Sequence, residues 1–411
     1  MSPDWRAALF ARRTLGVRLG TGPLAAVLDQ LAPGLRERPP FSVTQIVGTN
    51  GKGSTAAMLD HGLRAHGLGP VGLYTSPHLV RVGERVRIDG HAVDDEQIER
   101  GVTEVAQAEA KAGVSLSFFE VLTAIALERF IAAGCRHVIL EAGIGGRLDA
   151  TSVVAPSQVL IARIGMDHEG FLGHTIAAIA AEKAAVIRPG IPVASVAQRE
   201  QARAVIEAVA EQRSAPLELV APLDRAPLGL PGAHQRCNAA LALAGLRRLL
   251  DPGSSPTIEA LDGVTWPGRL ERRLVAGGEL WLDVAHNLDG AEALCAALDR
   301  LGVRPALVVF GTMADKPAPA MAQVLRRLGP LCLVPPASEG AYELGPLAEP
   351  GERLWAGADE PALRASLRER LEAGDTVLIC GSHVLVGGLG AALTSGDRAN
   401  VAVDPSDPMP R

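Results

Sequence analysis

The stretch TQIVGTNGKGST (Thr44–Thr55) sets glycines at 48, 51 and 53 around a lysine and a Ser-Thr pair, directly after an apolar run rich in β-branched residues. Glycines let a backbone approach an anion, and the free N–H groups of a helix start point at it. Lys52 would add a point charge, and Ser54 or Thr55 a hydroxyl for Mg²⁺. The spacing departs from G-x-x-x-x-G-K-S/T. Gly48 stands only three residues before Gly51, and Gly53 separates Lys52 from Ser54. A tight strand-to-helix turn would need the glycines, but not the lysine and hydroxyls that follow.

Three further stretches carry chemistry. RHVILEAGIGGRLDAT (136–151) ends an apolar run on Glu141 and continues into a Gly-rich loop, the position where open α/β sheets bind ligands. Glu141 could hold Mg²⁺ opposite the phosphate loop or cap the next turn. RIGMDHEGFLGHTIAAIAAEKAAV (163–186) offers Asp167 and His168 after the next strand, His168 as a metal ligand or a satisfied loop histidine. Lys183 follows in an apolar helix, where a free ammonium is costly. Either Glu182 or another carboxylate pairs with it, or the amine is chemically converted. YTSPHL (74–79) adds Ser76 and His78. In the second half, LDVAHN (282–287) offers Asp283 and His286, but no G-x-S-x-G nucleophile accompanies them, so a hydrolase triad has little support.

Lysine itself is informative. Of 40 Lys and Arg residues only Lys52, Lys111, Lys183 and Lys316 are lysines. Where a generic cation suffices this chain uses arginine, so retained lysines mark chemistry that a guanidinium cannot do. Lys111, in AQAEAKAG, fits a solvated helix face.

The elements that must position these residues alternate along the chain, which argues for α/β layers with mostly parallel strands. Strands are expected at 43–47, 69–74, 136–140, 158–164 and 191–196, with helices at 53–66, 94–112, 119–133, 175–187 and 199–212. Residues 84–90 alternate and read as a strand or an extended substrate loop. Pro/Gly-rich zones (220–235 and 251–270) flank a helix at 236–250. Alternation restarts at 280–286, followed by a helix near 288–302, strands at 305–311, 331–335 and 375–382, and a helix near 359–372. The boundary is set near residue 266, giving domains 1–266 and 267–411, with a frayed polar tail from residue 395.

Bulk composition narrows the class. A 47% apolar, 21% charged chain of 411 residues can bury large cores, and a net charge of −6 argues against a chain-wide nucleic-acid or membrane-surface role. No apolar run suffices for a membrane span, and the N-terminus lacks the apolar stretch of a secretory signal. Five scattered cysteines without C-x-x-C read as reduced thiols in a cytoplasmic protein without a zinc site.

Taken in order, GTNGKGST, TSPHL, ERVRIDG, SFFEVLT, EAGIGGRLDAT, the MDH to EKA segment, PGAHQRCNAA, PGRLE, DVAHN, DK and CGSHVLVGG resemble the folylpolyglutamate synthase and dihydrofolate synthase group, relatives of the Mur ligases. The match covers nearly the whole chain, and glycine after Lys52 favours the folate branch. The resemblance implies an α/β fold: an N-terminal P-loop ATPase-like, mostly parallel sheet domain and a smaller C-terminal Rossmann-like domain that closes over ATP and binds glutamate.

It also implies roles by position. Gly51, Lys52, Gly53 and Ser54 would cradle ATP phosphates, with Asn238, Arg269 and Asp283 as further ATP contacts and His286 near the γ-phosphate. One Mg²⁺ would be held by Ser76 and Glu141, and a second by Glu141, His168 and a carbamylated Lys183. Ser117, Phe118, Phe119 and Glu120, with Leu148, Asp149 and Ala150, would form the pteroate or folate pocket. The implied reaction is ATP-dependent ligation of L-glutamate to dihydropteroate and reduced folates by a monomer, catalysed through Lys52, Lys183, Arg269 and His286. Val284, Leu288 and Pro317 depart from the family's D-G-A-H-N-P and D-K-D, which bears on substrate affinity. The competing expectations are a Mur-type ligase for another carboxylate and amino acid, or a non-catalytic nucleotide-binding protein.

Overall fold

The computed structural model describes residues 4–16, 20–358 and 360–394; the expected frayed tail lies outside them. Eight strands form the first sheet: β1 (Ser42–Val47), β2 (Val71–Tyr74), β3 (Val86–Ile88), β4 (His91–Ala92), β5 (His137–Glu141), β6 (Gln158–Ile161), β7 (Val193–Val196) and β8 (Leu217–Val220). Their order is β4-β3-β2-β5-β1-β6-β7-β8. The run from β2 to β8 is parallel, and β3 and β4 extend it as an antiparallel edge.

β1 is central, with Ile46 beside Glu141 of β5 and Thr44 beside Gln158 of β6. Its register puts the loop after β1 between the ends of β5 and β6. Residues of β5 alternate between faces. Val138 and Leu140 join a core with the helices Asp95–Ala112 and Phe118–Ala132, while Ile139 joins one with the helices Lys52–Ala65 and Gln235–Arg247. Burial on both sides explains why the parallel strands read as short apolar runs.

The second sheet comprises β9 (Glu271–Val275), β10 (Gly278–Asp283), β11 (Leu307–Phe310), β12 (Leu331–Leu333), β13 (Arg353–Leu354) and β14 (Thr376–Cys380), in the order β13-β12-β11-β14-β10-β9. All neighbours are parallel except β9 and β10. Within the segment 84–90, residues 86–88 form β3, while 84–85 belong to a short 3-10 turn and 89–90 to the turn into β4. The helices Trp5–Phe10 and Gly22–Leu31 and the strands β8 and β9 were not expected from the sequence. β9, ERRLV, is a charged edge strand that buries little, so it carries no apolar run to read.

The two sheets meet along their loop-bearing edges. Asn50 and Asn287 exchange amide hydrogen bonds of 3.2 and 3.0 Å. Lys316 Nζ lies 2.6 Å from Asp167 Oδ1, and Arg199 pairs with Asp289 at 3.0 Å. A Cβ added at Gly387 would stand 2.0 Å from the Leu79 carbonyl oxygen, so the CGSHVLVGG segment needs glycine where it passes the TSPHL loop. No helix among the described residues is long and apolar enough to cross a membrane.

Candidate active site

A cavity of about 1190 Å³ runs between the two sheets, and every site residue expected above lines it. At its floor, Gly51 caps the helix Lys52–Ala65 with φ +91°, a left-handed conformation that favours glycine. A Cβ there would fall 2.3 Å from Asn238 Oδ1. Gly53 carries no positive φ; its Cβ would meet Trp266 Nε1 at a tight 3.3 Å and Glu141 Oε2 at an ordinary 3.6 Å. Lys52 Nζ donates to the Thr49 carbonyl at 3.2 Å, folding the ammonium back over its own loop. Of the two hydroxyls, Ser54 lines the cavity and accepts from Gln235 Nε2 at 3.3 Å, whereas Thr55 is fully buried. Gln235 in turn accepts from Asn238 Nδ2 at 2.9 Å, so one helix start braces both loop and serine.

Beside this loop, Glu141 accepts from the Ser76 amide at 3.1 Å. Burial pushes its carboxyl above the usual range, against the pull of Lys52, the Ser76 bond, Arg269 and Arg85. A buried carboxylate facing a cavity beside a serine suits a hard cation. Lys183 is 4% exposed, and among the described residues no carboxylate pairs with it; Glu182 faces Arg147 instead. Burial, and then Lys52, lower the amine to about 7, while Asp167 and Asp149 pull the other way. His168 is pushed down to about 3 by burial, which keeps its imidazole neutral as a metal ligand requires. Among the described residues no three His, Cys, Asp or Glu side chains form a ready-made metal nest. The Ser54 and Ser76 hydroxyls, the Glu141 carboxyl and the neutral His168 imidazole all line the cavity, a donor set that fits a hard cation.

On the second sheet, Asp283 spends both carboxylate oxygens on backbone, accepting from the amides of Leu270 and Ala285 at 2.8 Å each. It therefore shapes the turn that brings Arg269 and His286 to the cavity. His286 Nδ1 lies 3.0 Å from the Val284 carbonyl, which turns Nε2 toward Asp167 Oδ2 at 3.5 Å. Val284, one of the departures, is buried against Gly268 and Leu79, and Leu288 opens the helix Leu288–Leu301 that Asn287 caps.

The opposite end of the cavity is aromatic. Tyr74 and Phe119 rings lie 5.6 Å apart, and Phe10 stacks on Phe118 at 5.6 Å. Glu120 Oε2 accepts from Ser117 N and Oγ at 2.8 and 2.7 Å, a capping box that starts the helix Phe118–Ala132. Asp149 accepts from the amides of Gly143, Ile144 and Thr151 and from the Thr151 hydroxyl, so its carboxylate holds the Gly-rich loop in shape.

Comparison with known proteins agrees with this arrangement. The Mur ligase, glutamate ligase domain model matches residues 268–383. The dihydrofolate synthase/folylpolyglutamate synthase of Escherichia coli is 32% identical over 398 residues, covering 92% of each chain. The chain belongs to the folylpolyglutamate synthase/dihydrofolate synthase family. A probable bifunctional folylpolyglutamate synthase/dihydropteroate synthase of Halobacterium salinarum is 34% identical over 91% of this chain, which spans 49% of that longer relative. The structure of E. coli FolC in complex with DHPP and ADP superposes with a TM-score of 0.82 at 28% identity, over 95% of this chain and 98% of that one.

Against this family frame, residues left out of the expected site stand out. Asp167 collects Lys316, Asn287 Nδ2 (3.2 Å) and His286, and the His286 hydrogen bond, with the Lys316 charge beside it, holds its carboxyl far below the usual range despite burial. His234, Arg85, Arg13 and His383 also line the cavity. Asp167 and Lys316 had a signal, an acid at a strand end and a rare lysine; Arg13 and Arg85 look like any other arginine in an arginine-rich chain. Gly51→Ala is expected to weaken ATP binding by about tenfold or more, because it combines left-handed strain with the Asn238 clash. Nucleotide titration of the folded variant checks this.

Proposed function

We propose that this chain is an ATP-dependent amide ligase that joins L-glutamate to dihydropteroate and to the glutamyl chain of reduced folates through an acyl phosphate. One observation carries the reading. A single cavity runs from the phosphate loop, past Glu141 and Lys183, to a Phe-lined end large enough for a flat aromatic substrate. Residues 1–266 would bind ATP and the pteroate or folate, and 267–411 would close over ATP and bind glutamate. The enzyme would act as a cytoplasmic monomer.

A carboxylate is a poor electrophile at neutral pH, so phosphorylation by ATP must precede amide formation. The backbone of Gly51–Ser54 and the Lys52 ammonium would orient and neutralise the phosphates, with Asn238, Arg269 and Asp283 completing the nucleotide contacts. Ser76 and Glu141 would hold one Mg²⁺, and Glu141, His168 and carbamylated Lys183 a second; bound there, the ions would neutralise charge on the transferring phosphoryl group. Arg269, half-buried on the cavity wall beside Asp283 and Glu141, is placed to offset the same charge from the second sheet. His286, braced by Asp167, would lie near the γ-phosphate. Contact between the two sheets would keep water from the acyl phosphate before the glutamate amine attacks.

Purified protein supplied with ATP, Mg²⁺, L-glutamate and either dihydropteroate or a reduced folate should release ADP only when both organic substrates are present. ADP release independent of either, or none at all, would sink the reading. Product masses from each substrate in turn report whether both ligations occur.

A further inference from the structure

Dihydropteroate carries one carboxylate, the one that reacts. A folate that already bears glutamate carries two, and the one that does not react enters the same cavity still ionised. Leaving it desolvated without a cation is costly. The geometry points to Arg85 as the residue that receives this second carboxylate, and so as the determinant of activity on glutamylated folates as distinct from dihydropteroate. The inference rests on the ligase reading above.

The cations lining the cavity sort by position. Lys52 belongs to the phosphate loop, Lys183 to the proposed metal centre, and Arg269 faces Asp283. Arg163 and Arg199 follow β6 and β7 on the far side of β1, and Arg199 is paired with Asp289. Arg13 sits over the rings of Phe10 and Phe118, 4.1 and 4.8 Å from their centres, at the aromatic end.

Arg85 lies between the two ends. Its carbonyl accepts from the Thr75 amide at 2.9 Å, tying it beside Ser76 and hence Glu141. Its guanidinium carbon stands 5.2 Å from the Phe118 ring centre. The residue is 4% exposed, and its Nε donates to His78 Nδ1 at 2.8 Å, which fixes the plane of the guanidinium before any substrate arrives. A planar guanidinium held in place in a low-dielectric wall is the preferred partner of a carboxylate. A substrate whose ring stacks at Phe118 and Phe119, and whose reacting carboxylate reaches Glu141, must pass its other carboxylate along this wall. Dihydropteroate brings no such group.

The test is a ratio: kcat/KM for monoglutamyl tetrahydrofolate divided by kcat/KM for dihydropteroate, at fixed ATP and L-glutamate. Arg85→Gln should lower it about 30-fold, chiefly through KM for the folate, and Arg85→Lys should recover part of the loss. An unchanged ratio, or equal falls on both substrates, would overturn the assignment. Should Arg85→Gln fail to fold, the wild-type enzyme can be given a folate whose non-reacting carboxylate is an amide. Comparable loss supports Arg85, and equal turnover of acid and amide overturns it. Wild-type protein inert toward both natural substrates defeats the ligase reading and this inference with it, whereas an active wild type with an unshifted ratio defeats only the latter.

Discussion

Lys183→Ala is expected to lower glutamate-dependent ADP release by about 10³-fold while leaving the protein folded. The amine is nearly fully buried, no carboxylate among the described residues pairs with it, and burial together with Lys52 brings it to about 7. At neutral pH a large share of it is therefore uncharged, with a lone pair able to attack CO₂. Attack would form an N–C bond and release a proton, and the site would gain a carboxylate-like anion in place of a cation. The sign of the pH effect follows. The neutral fraction rises as pH climbs through about 7, so carbamate loading under limiting CO₂ should rise in that window, and stripping CO₂ below it should reduce activity. Because the folded-state value lies below that of the unfolded chain, Lys183 costs stability near neutrality, and the cost fades between about 7 and the ordinary lysine value. Lys183→Ala should therefore not lose stability through charge. Arginine cannot form the carbamate and should not substitute, and added acetate should restore part of the activity of Lys183→Ala. Intact-mass measurement of native protein, showing one added CO₂ on the wild type and none on the variant, checks the chemistry. Full activity in Lys183→Ala would remove it.

How far the site could be read from sequence depends on the range over which each part is encoded. The phosphate loop is local: its glycines, Lys52 and Ser54 are consecutive, and the strand before and helix after are both periodic. Glu141 and His168 are legible as polar residues ending apolar runs, because parallel strands bring such ends to one edge. The Asp167 node is not local. Lys316 lies 149 residues further on, and the Asn50–Asn287 exchange spans 237. Those contacts exist only once two sheets face each other, so sequence could offer Lys316 as a rare lysine but not its partner. Asp149 and Asp283 carry a structural part that the sequence does not announce. Their positions line the cavity as expected, yet their oxygens are committed to backbone amides, and only coordinates separate an acid that meets a ligand from one that shapes the loop beside it. β9 was missed because its burial is one-sided and slight, and hydrophobic periodicity is then too weak to read.

Glu141→Gln separates activity from stability at the same atom positions. The amide keeps the shape and can still accept from the Ser76 amide, but it removes the negative charge that a cation between Ser76 and the phosphates would need. Ligation should fall by about 10²–10³-fold. Stability should move the other way. Burial raises the Glu141 carboxyl more than Lys52, the Ser76 bond, Arg269 and Arg85 lower it, so the folded state holds the proton more tightly than the unfolded chain. Stability from this group is thus present at low pH and is lost as pH rises through the raised value. Without nucleotide, Glu141→Gln should have a higher Tm than the wild type at neutral pH, and the gap should close as acid protonates the wild-type carboxyl. Added Mg²⁺ and ATP should reverse the order, since only the wild type gains the full stabilisation of binding. Equal Mg²⁺-dependent shifts in Tm for the two proteins would take Glu141 out of the metal centre, and a wild type more stable than the variant without ligand would show that the buried charge is already compensated.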